Sequence, residues 1–294
     1  MPCLLTKPKS SCIMISMNRL PQAKRVQVVK ALVEGNSIRA TVRMAGVAKN
    51  TVAKLLVELG EACSQYQNDA LRGLTCRRVE ADEIWAFCHA KEANVPAEHE
   101  GEFGYGDIWT WVAMDADTKL VPSWLVGERD TPTAIDFMAD VRERIANRTQ
   151  LTTDGLVCYL TAVEEAFGAD VDYAQLVKIY GTDPDADRRY SPSRFVTAEK
   201  RQVSGSPDAA LVSTRHIERQ NLTMRMGMRR FTRLTNGFSK KAENLAAAVS
   251  LHFMHYNFAR PHKSLANPYP RTPAMAAGVA DHVWSVEEIV GLLG

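Results

Sequence analysis

The sequence predicts an α/β protein, a mixed β-sheet flanked by helices and preceded by a small all-helical segment. Three observations lead there. Apolar residues recur at helical spacing between Leu20 and Tyr66. From Arg78 the composition shifts to runs rich in Val, Ile, Trp and Phe, as strands require. Beyond Thr131, helical and extended stretches alternate, the pattern of a sheet covered by helices. At 294 residues, 46% hydrophobic and 24% charged, the chain has the length and composition of a soluble globular protein with one large and one small domain.

Three short helices fit the first segment. In "PQAKRVQVVKALVEG", Val26, Val29, Leu32 and Val33 share a face, and Gly35 ends it. "SIRATVRMAG" follows, with Ser37 as its cap and Gly46 as its stop. "VAKNTVAKLLVELG" turns Val52, Leu55, Leu56 and Leu59 inward. Two helices across a glycine-containing turn form the helix-turn-helix pattern. That geometry directs Lys49, Asn50, Thr51 and Lys54 at a DNA major groove, although a plain three-helix bundle would use the same apolar pattern.

"RRVEADEIWAFCHA" reads as a strand, and "GDIWTWVAMDADTKLVPSWLVGE" as two strands about a turn at Asp115 to Thr118. "TPTAIDFMADVRERIAN" is a helix begun by Thr131 or Thr133, "QLTTDG" a short strand, "LVCYLTAVEEAFG" a helix and "DYAQLVKIYG" a strand. Residues 182–214 read as a long loop or insertion. Helices follow at Arg215 to Arg233 and Ala242 to Ala259. The expected divisions are a disordered tail over 1–17, helix-turn-helix over 18–66, linker over 67–77, sheet domain over 78–265 and C-terminal tail over 266–294. Met14 and Met17 are alternative starts to Met1.

The net charge is only +2, but it is unevenly spread. Basic residues dominate from Asn18 to Leu55 against the single acid Glu34, and from Arg215 to Lys241 against the single acid Glu218. Two basic segments in a nearly neutral chain point to a polyanion held at two places. The six cysteines form no Cys-x-x-Cys pair, so neither a zinc site nor a disulfide framework is expected, and a reducing cytoplasm is. No apolar run approaches the roughly 20 residues of a membrane span. The first residues also lack the apolar core of a signal peptide.

Three acids stand out by position. Asp82 lies inside a strand, Asp154 ends another before Gly155, and Glu218 is the lone acid of a helix carrying Arg215, Arg219, Arg225, Arg229 and Arg230. Strand ends are where open α/β sheets carry their ligand crevices. Clustered carboxylates repel unless a cation neutralises them, and all-oxygen donors suit Mg²⁺ or Mn²⁺. Two such ions support in-line phosphodiester displacement, while a basic helix holds the phosphate backbone. Each acid also has a plainer use. Glu80 or Glu83 could replace Asp82, Asp154 could be only an Asp-Gly turn, and Glu218 could pair with an arginine of its own helix.

The blocks "ADEIWAF", "TTDGLVCY" and "RHIERQNLTMR" resemble the three catalytic blocks of DDE transposases of bacterial insertion sequences, most of all the insertion-sequence-1 type. The likeness runs from about Arg78 to Leu265. It implies an RNase H-like catalytic core in which Asp82, Asp154 and Glu218 hold two Mg²⁺ or Mn²⁺ ions; their spacings of 72 and 64 residues suit such a core. It further implies cleavage of double-stranded DNA at terminal inverted repeats and joining of the 3′ hydroxyl to target DNA, within a homo-oligomeric synaptic complex in a bacterial cytoplasm. Arg219 and Asn221 match the third block, as DNA contacts or as supports of the helix. Arg260, His262 and Lys263 lie in a following segment that resembles the family's as well, either on DNA or in a structural wrap. A nuclease or resolvase on the same scaffold, or a regulator that no longer uses the centre, would carry the same blocks.

Overall fold

The computed structural model describes residues 19–181, 194–232, 235–265 and 267–294. The expected disordered tail, the alternative starts and residues 182–193 of the expected 182–214 loop lie outside the described residues.

Three helices open the chain: α1 (Gln22–Val33), α2 (Ile38–Ala45) and α3 (Lys49–Ala70). Ser37 caps α2 by accepting the Ala40 N–H at 3.1 Å. Gly46 ends α2 at φ 64°, a left-handed position that favours glycine. The third helix does not stop at Gly60. It continues to Ala70, through the start of the expected linker, because Gly60 is a packing position. A Cβ there would lie 2.6 Å from Ala247 of α7 (Ala242–Met254), and Ser250 Oγ donates to the Gly60 carbonyl at 2.7 Å. Gln67 then bonds the Ser250 carbonyl at 3.1 Å, one turn before α3 ends.

The sheet is built from β1 (Arg78–Cys88), β2 (Gly106–Asp115), β3 (Ser123–Gly127), β4 (Thr149–Thr153), β5 (Val171–Gly181) and β6 (Arg194–Ser204), in the order β3-β2-β1-β4-β5-β6. The β1–β2, β2–β3 and β5–β6 pairs are antiparallel, whereas β1–β4 and β4–β5 are parallel. It is therefore a six-stranded mixed sheet, flanked by helices. The crossovers are α4 (Thr131–Arg144) and α5 (Cys158–Phe167). Asp130, rather than either threonine, caps α4, accepting the Thr133 N–H at 3.0 Å.

Both faces of β1 are covered, which is why it reads as nearly continuous apolar sequence. Its Val79 and Ala81 join the cluster that holds Trp111, Phe137 and Tyr159; its Ile84, Ala86 and Cys88 join the cluster of α7 and α6 (Arg215–Gly227). Trp111 meets Phe137 and Tyr159 at centroid distances of 6.0 and 5.3 Å. The first cluster also includes Leu71, Leu55 and Val29, so the N-terminal helices share the core of the sheet.

Two further differences concern the second half. Part of the expected 182–214 loop is β6, an edge strand whose described side chains are mostly exposed, so burial left no alternation to read. The expected C-terminal tail includes α8 (Pro273–Ala276) and α9 (Val286–Gly291). Trp284 packs against Phe258 and Tyr66 at 5.4 and 4.9 Å, making this segment a structural wrap. The α6 helix ends at Gly227, six residues early, where Met228 turns extended. Among the described residues no helix is long and apolar enough to cross a membrane, and the four cysteines are free.

Candidate metal and DNA site

Strand alternation sends Glu80, Asp82, Ile84 and Ala86 toward α6 and α7. Glu80 is 3% exposed and clamps the start of α6. Its Oε2 accepts the N–H groups of His216 and Ile217 at 2.8 and 3.0 Å, and its Oε1 meets His216 Nδ1 at 2.8 Å. A carboxylate on the unsatisfied N–H groups of a helix start is favoured by both hydrogen bonding and the helix dipole. The next residue after Ile217 is Glu218, so this clamp places Glu218 over β1. A second tie lies one turn on, where Asn221 Nδ2 donates to Asp82 Oδ2 at 2.8 Å.

Asp154 follows the last residue of β4. Its Oδ1 accepts the Leu156 N–H at 3.0 Å, the local Asp turn that the sequence allowed, and this leaves the carboxylate at the sheet rim. Asp82, Asp154 and Glu218 line one cleft of about 550 Å³, together with Arg129, Lys178 and Thr214. Glu218 pairs with no arginine of its own helix among the described residues. It accepts from the Thr214 hydroxyl and pairs with Lys178 of β5.

Carboxylate oxygens of Asp82, Glu83 and Asp154 lie within 4.8 Å of one another, a donor set that could hold a metal ion. Glu83 projects from the opposite face of β1 to Asp82, and its oxygens are already engaged. Oε1 accepts Arg129 Nε and Nη2 at 2.9 and 2.7 Å, and Oε2 accepts the Tyr159 hydroxyl at 3.3 Å. Arg129 also stacks 4.6 Å over Trp109. Glu80 is similarly consumed by the α6 start. Burial pushes the Asp82 carboxyl up to about 7, reinforced by the negative charges of Glu83, Asp154 and Glu218. Burial also raises Glu83, helped by Asp154 and opposed by Arg129. Acids this reluctant to ionise together are stabilised by a cation, and their all-oxygen chemistry fits a hard divalent ion.

The other expected residues divide. Lys49, Asn50, Thr51 and Lys54 occupy the first turns of α3, with Lys49, Asn50 and Lys54 exposed; they form no part of the acidic cleft. Arg215, Arg219 and Arg229 are exposed along and just beyond α6, whereas Arg225 is half-buried. Asn221 lies on the inner side of α6. It is 5% exposed, and its Nδ2 donates to Asp82, the supporting role that the sequence left open beside a DNA contact. Sequence reasoning missed Glu80's clamp, Thr214, Arg129 and Lys178. Only Lys178 left a signal, a lysine within the otherwise apolar "LVKIY".

No protein-family model matches the chain, and no curated protein does. Among solved structures, a cryo-electron-microscopy structure of a piggyBac transposase synaptic complex with hairpin DNA is similar over 98% of this chain and 73% of its own, at 9% identity and a TM-score of 0.38. A likeness so loose has no bearing on the chemistry of the cleft.

Proposed function

We propose that the chain is a metal-dependent DNA strand transferase, a transposase of the DDE type that cuts DNA at element ends and joins the freed 3′ hydroxyl to a target. We read its six-stranded mixed sheet as an RNase H-like core. One observation carries the reading: the acids of the three sequence blocks, Asp82, Asp154 and Glu218, line one cleft beside the basic face of α6.

Asp82 and Asp154 would hold Mg²⁺ or Mn²⁺, with Glu218 completing the second of two positions. Bound there, the ions supply Lewis acidity for in-line displacement at a phosphodiester, at both the attacking and the leaving oxygen. The chain's own groups orient the parts. Asn221 fixes the Asp82 carboxylate, Thr214 fixes Glu218, and Glu80 fixes the helix that bears Glu218. Arg215, Arg219 and Arg229 would lie along the phosphate backbone, where cationic contacts position DNA without reading its sequence. Lys49, Asn50, Thr51 and Lys54 would read the terminal repeats from the start of α3.

In the first step water attacks phosphorus, the P–O3′ bond breaks and a 3′ hydroxyl leaves. In the second that hydroxyl attacks a target phosphodiester, exchanging one P–O bond for another, so no external energy source is required. Pairing two ends in one complex would take at least two copies of the chain.

The test is strand cleavage and joining on labelled duplexes carrying the element's ends, in Mg²⁺, Mn²⁺ and EDTA, with wild type beside Glu218→Ala. Metal-dependent joined product that is lost in the variant while end binding persists is the expected result. Cutting without joining would replace the reading by a nuclease. Tight binding with no cutting in either metal would replace it by a DNA-binding regulator.

A further inference from the structure

The acids of the cleft are met by two cations of different character. Arg129 is fixed by two N–H bonds to Glu83 and by the Trp109 ring beneath it. Lys178 is a compact charge on a flexible stem, and its ion pair with Glu218 opens onto the cleft, with side chains 29% and 41% exposed. Among the described residues no cation pairs with Asp82 or Asp154. The fixed cation therefore serves the acid that faces away from α6, and the movable one serves the acid on α6 itself.

An ion pair this open to water is weakly held and yields to a competitor of higher charge. A divalent ion that reached Glu218 would also repel the displaced ammonium. If DNA runs along the exposed Arg215 and Arg219, as in the reading above, its phosphates would be the anions that the released ammonium meets. The Lys178 ammonium sits on a flexible stem that reorients without backbone movement, while the Thr214 hydroxyl still bonds Glu218.

We propose that Lys178 passes from Glu218 to a DNA phosphate: it neutralises Glu218 until a divalent ion takes that carboxylate, and its ammonium then binds the phosphodiester over the cleft. This rests on the metal-dependent reading above and adds to it a phosphate-binding residue on β5. The displaced contact makes a distinctive prediction. Removing Lys178 improves metal binding and impairs DNA processing, two effects that a merely structural lysine would not produce in opposite directions.

The test uses the full chain as wild type, Lys178→Met and Lys178→Arg, with folding checked by circular dichroism. Mn²⁺ is titrated calorimetrically without DNA, and nicking of supercoiled plasmid carrying the element's ends is followed at saturating Mn²⁺. The methionine variant should bind Mn²⁺ roughly two- to fivefold more tightly, the range expected for release of one exposed ion pair. Its nicking rate should fall roughly 10- to 100-fold, the effect of losing one charge-assisted hydrogen bond to the phosphate. Lys178→Arg should retain most of the nicking. If the methionine variant does not fold, Lys178→Gln removes the charge with less change in polarity. Unchanged or weaker Mn²⁺ binding in a folded neutral variant overturns the exchange, and unchanged nicking overturns the phosphate contact. Wild type that binds no Mn²⁺ overturns the metal-dependent reading itself, whereas wild type that binds and nicks beside an indistinguishable variant overturns Lys178 alone.

Discussion

Replacing Asp82 by asparagine isolates the electrostatic tension of the cleft, because the change removes a charge and keeps the shape. Burial and three neighbouring acids raise the Asp82 carboxyl from an ordinary 3.8 to about 7. An acid raised in this way holds its proton longer in the folded chain than in the unfolded one. Folding stability from this group is therefore greatest below the unfolded value and is lost as pH rises from about 4 to about 7. With roughly 1.4 kcal/mol per pKa unit the ceiling is about 4 kcal/mol, and water entry at the rim reduces it to about 2 kcal/mol. Asp82→Asn avoids that loss, and its carbonyl still accepts the Asn221 amide. Thermal unfolding in EDTA at pH 8 should show the variant more stable by roughly 4–8 °C, with little difference at pH 4. In Mg²⁺ the order should reverse, since ion binding stabilises only the wild type. Equal effects at both pH values would show that the Asp82 charge is not the source of the strain, and equal stabilisation of both proteins by Mg²⁺ would show that Asp82 is not a ligand.

Three other outcomes follow from the same geometry. Asp154→Asn should abolish Mn²⁺ binding in calorimetry while Glu83→Gln preserves it, because Arg129 and Tyr159 already occupy the Glu83 oxygens; the opposite pattern would make Glu83 the ligand. Gly60→Val should lower the urea midpoint by an amount corresponding to about 1–3 kcal/mol, because the new side chain meets Ala247 backbone; an unchanged midpoint would mean that α3 and α7 do not cross so closely. Lys49→Ala and Lys54→Ala should each weaken DNA binding and reduce the salt slope by about one, read by fluorescence anisotropy across salt concentrations; unaltered slopes would remove α3 from the DNA surface.

The strands and helices that bury a face were legible in the sequence. Periodicity in "RRVEADEIWAFCHA" and "LVCYLTAVEEAFG" reflects the core that each must meet, and both formed at the expected places with ends shifted by a few residues. Asp82 stood out for the converse reason, since a carboxylate among the apolar residues of a strand requires an explanation. What escaped depended on partners distant in sequence. Gly60 reads as a helix stop until Ala247 is seen against it, and Glu80 reads as an ordinary acid until α6 docks on it. The β6 strand escaped because an exposed edge need not alternate. Lys178 reads as a solvent-facing charge because only the β1-β4-β5 order brings it opposite Glu218.

On the proposed function, Asp82, Asp154 and Glu218 form one cation site beside bound DNA. Crystals of the full chain with duplex DNA and Mn²⁺, measured at the manganese absorption edge, test it most directly. Anomalous peaks between Asp82 and Asp154 and beside Glu218, with a phosphate over them, are the predicted result. Peaks confined to Glu83, or an acidic cleft without manganese while DNA lies on α6, would contradict it.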